Sequence, residues 1–479
     1  MERSSRFSQI LEKIFWFYLF LNPILDIVNG YFISSVKKIG ILDVEFVSTL
    51  GVTPSLIIRM LFLLVFVLYI FVVRDWHSVL TAIPIGLAWV LSIVSEYRWT
   101  GGVNFFIDAQ YMARFCYNLV LLMVYSRVFA RRWGVDGRDL VSMLDNVITY
   151  TLILLTVSIL IPALLGVGYN TYADRLGYRG NRGFFYAGND VTAIMALLMP
   201  LSIAKVLRGR EETAIMSGKP KFMFLPALAA ALSANAMLSI GSKTAFIAIV
   251  VAFAAMLIFA LIHCIRARSW LWIRDFALIV AIFLVIFLLI NLCSCLQVRR
   301  QLIEMGEEVG RFRLSDIFSY SAHIQAIAES AQATEYIAEY EGIENAMFNG
   351  RQVKLAAAFH QFRAGGILVW LFGLGRGSQE VIIEMDIFEV LFYYGLFGFV
   401  VMLWLYVKLG IEFFRGLFRK FDVTSFAAFI GLGLTVGYLV IAGHVLFSVT
   451  SGFYLAFELI YSRVWFAERP EEILLWKQK

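Results

Sequence analysis

The run FALIVAIFLVIFLLINLCS, residues 276–294, contains no charged side chain over nineteen positions. An α-helix rises 1.5 Å per residue and the bilayer hydrocarbon is about 30 Å thick, so about 20 mostly apolar residues make one crossing. Working outward, comparable segments lie at 13–33, 55–73, 78–95, 111–130, 146–168, 189–207, 222–240 and 244–263 on one side. On the other side they lie at 387–407, 424–442 and 444–462. Only Gly443 and His444 break the last two. The expected fold is all-α: a polytopic membrane protein of about twelve helices.

Composition excludes the soluble alternative. Of 479 residues 60% are hydrophobic and 16% charged, with a mean hydropathy of +0.78. Soluble domains average roughly 45–50% apolar and about 25% charged, and a larger core cannot close that gap because cores split beyond roughly 250–300 residues. The net charge of +6 does not point to nucleic acid, because the basic residues sit between apolar runs and report topology. The N-terminus, MERSSRFSQILEK, is basic and lacks a small-residue cleavage site before the apolar stretch, which predicts an uncleaved first helix. Cys116, Cys264, Cys293 and Cys295 have no metal-ligand spacing and read as packing residues.

Basic residues orient the chain. With the N-terminus in the cytoplasm, every alternate loop is basic: Arg74, then Arg127–Arg138, Lys205–Lys221, Arg266–Arg274, Lys408–Lys420 and the tail. Both termini are then cytoplasmic. Three regions follow: a bundle over 1–294 with an external loop at 169–188, a large external loop over 295–386, and C-terminal helices over 387–479. The large loop reads as ordered, with helices predicted at 322–347 and 351–363, the second carrying Arg351, Lys354 and His360 on its polar part.

The loop 169–188, YNTYADRLGYRGNRGFFYAG, holds Arg175, Arg179 and Arg182 among Tyr172, Tyr178, Phe184, Phe185 and Tyr186. Positive charge on the external side runs against the usual bias. The guanidinium fork suits phosphate or diphosphate, and the aromatics suit a sugar face or the membrane interface. Headgroup binding by an interfacial loop is the bland alternative. Glu384 and Asp386 lie where the large loop re-enters the membrane, with Glu389 one turn deeper; carboxylates there are costly unless they face protein or water. Being two residues apart, Glu384 and Asp386 do not share a helix face; capping of the helix N-terminus is the alternative reading, balanced against function for Asp386, while Glu384 reads as functional. Asn22, Asp26 and Asn29 form one polar stripe on the first helix. Lys243, in the turn SIGSKT, adds a cation near the arginine loop or snorkels. No phosphate-binding glycine loop, metal motif or Ser–His–Asp arrangement is visible, and GLGRGS at 373–378 lacks the last glycine of a dinucleotide fingerprint.

These segments together resemble the O-antigen ligase and polymerase superfamily. RGNRGFFYAGND at 179–190 is similar to that family's Arg–Gly–Phe–x–x–x–x–Asn segment, matching Arg182, Gly183, Phe184 and Asn189. SIGSKTA is similar to its Ser–Arg turn, with Lys243 in place of arginine. NGR at 349–351 resembles the Gly–Arg before a loop helix, and EMDIFEVLFYYGLFG resembles its His–Asn segment ending in Gly–x–x–Gly, here Gly395 and Gly398. Glu384 stands where the ligases hold histidine.

The resemblance implies a GT-C-like multi-pass enzyme of the inner membrane, acting externally on a polyprenyl-diphosphate-linked oligosaccharide, with a glycan or lipid acceptor. It implies no cofactor, metal or nucleic acid, and it implies other polysaccharide-assembly proteins as partners. On this reading Arg175, Arg179, Arg182, Arg351 and Lys243 bind diphosphate, Asn189 and Tyr186 contact substrate, and Glu384 or Asp386 is the base. Polymerisation into a capsule or exopolysaccharide and ligation to another acceptor both remain open. A transporter or flippase of lipid-linked saccharide is the rival class, but the chain lacks the internal repeat common in transporters.

Overall fold

In the computed structural model the described residues are 6–39, 53–165, 168–172, 179–185, 187–217, 222–304, 351–377, 383–441, 443 and 445–476. The helix expected at 322–347 lies outside them, as do Arg175, Tyr186 and His444.

The helices are α1 Arg6–Ile39, α2 Pro54–Val72, α3 Trp76–Thr100, α4 Phe105–Trp133, α5 Gly137–Leu165, α6 Gly188–Ser217 and α7 Phe224–Ile240. They continue with α8 Lys243–Ala267, α9 Leu271–Glu304, α10 Arg351–Ala364, α11 Gly366–Phe372, α12 Asp386–Arg419, α13 Val423–Ile441 and α14 Ser451–Phe466. Strands β1 (Asn170–Tyr172) and β2 (Arg179–Asn181) pair antiparallel, Asn170 opposite Asn181. The all-α reading holds, with this small hairpin as the one addition among the described residues.

Short polar side chains start the helices. Thr53 accepts a hydrogen bond from the Leu56 amide and Pro54 follows it in the first turn, while Asp75, Asn104 and Ser242 cap α3, α4 and α8 in the same way. Each satisfies an amide that the helix itself leaves unbonded. The expected helix at 351–363 is α10.

Eleven of the twelve expected segments fall on helices, and the twelfth, 444–462, is helical only from Ser451, with 445–450 outside any helix. Among the described residues nine helices are long and apolar enough to cross a membrane: α2 to α6, α8, α9, α12 and α13. The remaining three segments lie on α1, α7 and α14. The last two are short, at 17 and 16 residues, and α14 carries Glu458 and Arg463, which is why apolar length alone does not single them out.

Burial separates the centre of the bundle from its rim. In the most apolar window of α6, 94% of residues are buried, against 17% in α9. Helix α6 packs against α5, α7, α8, α13 and α14. Small residues make that possible: Ala193, Ala196 and Ala204 on α6 meet a neighbour rich in buried alanine, from Ala227 to Ala236. Lipid offers helices no hydrophobic drive to associate, so close backbone approach over small side chains supplies the contact.

Two glycines shape the site. Gly395 breaks α12 with φ 67° and ψ −173°. A Cβ there would stand 2.4 Å from the Leu371 carbonyl group, so only glycine lets α12 cross α11 this closely. Gly183, φ +60°, follows the hairpin, and a Cβ on it would stand 2.1 Å from the Ser158 oxygen of α5.

Candidate functional site

The hairpin is fixed at one end of the bundle by backbone bonds. Tyr169 N–H donates to Gly183 O (2.8 Å) and Arg182 N–H to Tyr169 O (2.9 Å). The Asn181 side chain accepts from the Gly183 amide at 2.7 Å. Gly180 rests on the Ile240 carbonyl, and Gly188 lies against both Ile240 and the Arg182 Cβ. The strand bearing Arg179 and the residue Arg182 therefore sit on the turn between α7 and α8. Lys243 is the first residue of α8 and is exposed. A cation at a helix N-terminus opposes the helix dipole, and a helix N-terminus that carries a lysine favours an anion at that point. The backbone of Arg351 opens α10.

The carboxylates expected at the membrane boundary take different surroundings. Glu384 is half-buried, has the left-handed φ of 61°, and pairs with Lys354 at 2.7 Å. A positive φ on a non-glycine residue is uncommon and costs about 1–3 kcal/mol; it is held here by the Glu384 amide donating to Glu389 Oε1 at 2.9 Å. Asp386 is fully buried and accepts the amides of Val445 and Leu446, the second at 2.8 Å. Glu389 is also fully buried and accepts the Tyr111 hydroxyl at 2.8 Å.

Between α13 and α14 the chain leaves the helix, and Val445, Leu446 and Phe447 are nonetheless buried. Irregular backbone at this depth requires protein partners for its polar groups. Asp386 supplies acceptors for two amides. Asn118 donates to the carbonyls of Leu446 (2.8 Å) and Ser448 (3.1 Å). Ser448 donates to Asp190 at 3.3 Å, and the built Cβ of Gly443 would strike the Glu384 carbonyl at 2.2 Å. This segment thus joins the Glu384 end of α12 to the start of α6, where Asn189 and Asp190 lie eight residues or fewer beyond Arg182.

The stripe on α1 faces the interior, and its partner went unread in the sequence. Arg59 of α2, 2% exposed in its side chain, pairs with Asp26 at 2.7 Å. It also donates to Asn22 (3.0 Å), Ser55 (2.8 Å) and Thr450 (3.2 Å), while Thr450 donates to Asp26 at 2.7 Å. A lone arginine inside SLIIRMLFLL was the available signal, since charge within a span is costly and marks a polar interior. A second missed group surrounds the GLGRGS segment. Buried Arg376 lies 5.2 Å and 5.7 Å from the Tyr111 and Tyr393 rings, and its amide donates to Asp108 at 3.0 Å. Ser95 donates to Gly373 O at 2.6 Å. Asp108, Tyr111 and Asn118 recur along one face of α4, the pattern that could have revealed them.

Among the described residues no group of three or more His, Cys, Asp or Glu side chains is placed to hold a metal. No protein of described function and no solved structure shows significant similarity to the chain. Residues 8–465, nearly the whole chain, match the family model described as O-antigen ligase like membrane protein. With its helices, its seated arginine hairpin and its Glu384–Gly395 segment, this chain belongs to the O-antigen ligase-like membrane protein family.

Proposed function

We propose that the protein is a membrane glycosyltransferase that polymerises polyprenyl-diphosphate-linked oligosaccharide units on the external face of the inner membrane. The observation that carries this reading is the seating of the arginine hairpin on the α7–α8 turn, beside Lys243 and the N-terminus of α8. Fixed cations and amides of this kind offset charge developing on a departing diphosphate, the electrostatic contribution that is usually largest. Arg182, with Arg179, Arg175, Arg351 and Lys243, takes the diphosphate, and Asn189 and Tyr186 contact the sugar.

In the proposed step an acceptor hydroxyl loses its proton to Glu384 while its oxygen attacks the anomeric carbon. The bond from that carbon to the diphosphate oxygen breaks, its electron pair leaves with the carrier, and the anomeric centre inverts. Glu384 is favoured over Asp386 as base because its carboxylate is half-exposed, whereas Asp386 holds the amides of Val445 and Leu446. Lys354 keeps the Glu384 carboxylate in place. Asp386 positions the segment beside Glu384.

Purified protein given a defined polyprenyl-diphosphate oligosaccharide should lengthen the glycan. Arg182→Ala and Glu384→Gln should each lower product at least 100-fold, the scale of losing one preorganised charge-stabilising group or a general base, with unchanged protein level in the membrane. Near-normal product from either variant removes that residue from the mechanism. Conjugation to a separate acceptor without lengthening would make the enzyme a ligase, and an untouched donor would favour transport.

A further inference from the structure

At the end of the bundle opposite the hairpin, a cavity of about 540 Å³ opens between α8, α9 and α13. Its two ends differ in chemistry. Ile258 and Ile262, one turn apart on α8 and about half exposed, make an apolar wall, and Phe259 forms the floor by stacking on Trp272 and Phe426. Arg208, His263, Arg266 and Asp422 line the polar end. His263 stacks on Trp272 with ring centroids 3.6 Å apart.

The charges at the polar end do not balance. Asp145 is taken by Arg208, which also donates to Thr424 at 2.6 Å and lies 4.5 Å from the Trp465 ring. The Asp422 carboxylate accepts from the Trp465 indole (3.0 Å) and the Ser425 amide (2.8 Å), and its charge offsets that of Lys420. Lys420 lies 4.1 Å from the same indole ring and donates to the Trp465 carbonyl at 2.9 Å. Arg266 is exposed and makes no ion pair among the described residues. The surplus is the single cation Arg266, beside tryptophan and a strip of exposed isoleucine.

We propose that this cavity seats an anionic phospholipid, its phosphodiester at Arg266 and one acyl chain along Ile262 and Ile258. From Arg266 to Ile258 is eight residues, about 12 Å of helix, enough for the glycerol and the first methylenes of a chain. Basic pockets between helices at a membrane face recognise acidic headgroups, and indole rings settle at that depth. A free phosphate shares the headgroup chemistry but leaves the isoleucine strip uncovered, which is why the lipid is the better occupant.

Native mass spectrometry of the intact purified protein reads the proposal directly, with dioleoyl phosphatidylglycerol, dioleoyl phosphatidylcholine and sn-glycerol 1-phosphate as probes. Phosphatidylglycerol should be retained in preference to phosphatidylcholine. Arg266→Gln should weaken that retention about fivefold, the effect of one interfacial cation. Arg415→Gln, an exposed cation of α12 lining a separate cavity, should leave it unchanged. Equal retention of the two lipids, an unaltered Arg266→Gln protein, or an equal loss in Arg415→Gln would overturn the site. Displacement of the lipid by millimolar glycerol phosphate would overturn the lipid in favour of a soluble anion. Glycan transfer in detergent is a separate readout, so loss of this site leaves the proposed reaction standing.

Discussion

At the end of the bundle where α2 turns into α3 and α4 into α5, the buried charged groups are paired and capped, and Arg266 at the rim is left over. Asp75 caps α3 through Ser78 and accepts Arg127 at 2.6 Å; Asp145 takes Arg208 and the Tyr461 hydroxyl; Glu412 takes Arg463. At the hairpin end the backbone itself is irregular. Gly395 breaks α12, Glu384 holds a left-handed φ, and residues 445–450 run without helix at depth. Polar side chains there, Asp386 and Asn118 above all, are occupied with backbone groups of that segment. The first end uses charge to close helix turns. The second uses it to hold a shaped, non-helical surface, and strained or irregular backbone persists only where its surroundings over-determine it. That contrast is why the chemistry is assigned to the hairpin end, and Arg182→Ala with Glu384→Gln, the largest effects expected, test it most directly.

The ion pair beneath that surface should be the most sensitive structural element. Arg59 and Asp26 are both buried, and removing one partner of a buried pair costs about 3–5 kcal/mol because the other charge is left without compensation. Arg59→Ala should therefore lower thermal stability sharply and reduce the folded protein recovered in detergent. Arg59→Gln combined with Asp26→Asn, which leaves no lone charge, should recover a large part of that loss. Equal destabilisation in the double variant would mean that the hydrogen bonds to Asn22, Ser55 and Thr450, and not the charges, hold α1, α2 and the start of α14 together.

Much of the fold was legible because lipid imposes a simple rule on sequence. Eleven of the twelve apolar runs lie on helices, nine of them long and apolar enough to cross a membrane among the described residues, and the run 444–462 is helical only from Ser451. What the runs concealed is the polar interior. Asn22 and Asp26 were readable as a stripe, since i and i+4 share a face. Arg59, which completes them, is thirty-three residues from Asp26 and sits alone in an apolar run. Asp386 was readable as a carboxylate at a boundary, but its partners, the amides of Val445 and Leu446, have no side-chain signature at all. Arg182 and Glu384 were chosen from local motifs, while the segment that joins their ends of α6 and α12 looked like no more than a break at Gly443 and His444.

Gly395 gives a test of intermediate size. Its left-handed φ and the approach of Leu371 leave no room for a side chain, so Gly395→Ala combines strain with overpacking, together about 2–4 kcal/mol. Thermal unfolding should show the loss. Gly410→Ala on the same helix, where a Cβ meets nothing within 4 Å, should be neutral or stabilising, since alanine favours helix. A matching loss at both positions would show that the crossing of α11 and α12 is not what Gly395 serves.

The smallest effect belongs to the opposite end and carries a pH signature. Burial pushes the Asp75 carboxyl up, but the bonds from Arg127 and Ser78 outweigh it and hold the group below its ordinary value. A carboxylate with a depressed folded-state pKa contributes stability above its unfolded value, near 4, and that contribution falls away as pH drops further towards the folded value. Asp75→Asn should cost about 1–3 kcal/mol at pH 7, the scale of a charged hydrogen bond lost from a buried group. Below pH 4 the difference between the two proteins should shrink. A gap that stays constant from pH 7 to pH 3 would mean that Asp75 acts through its shape as a cap on α3 and not through its charge. The paired end of the bundle would then owe less to electrostatics than its contrast with the hairpin end requires.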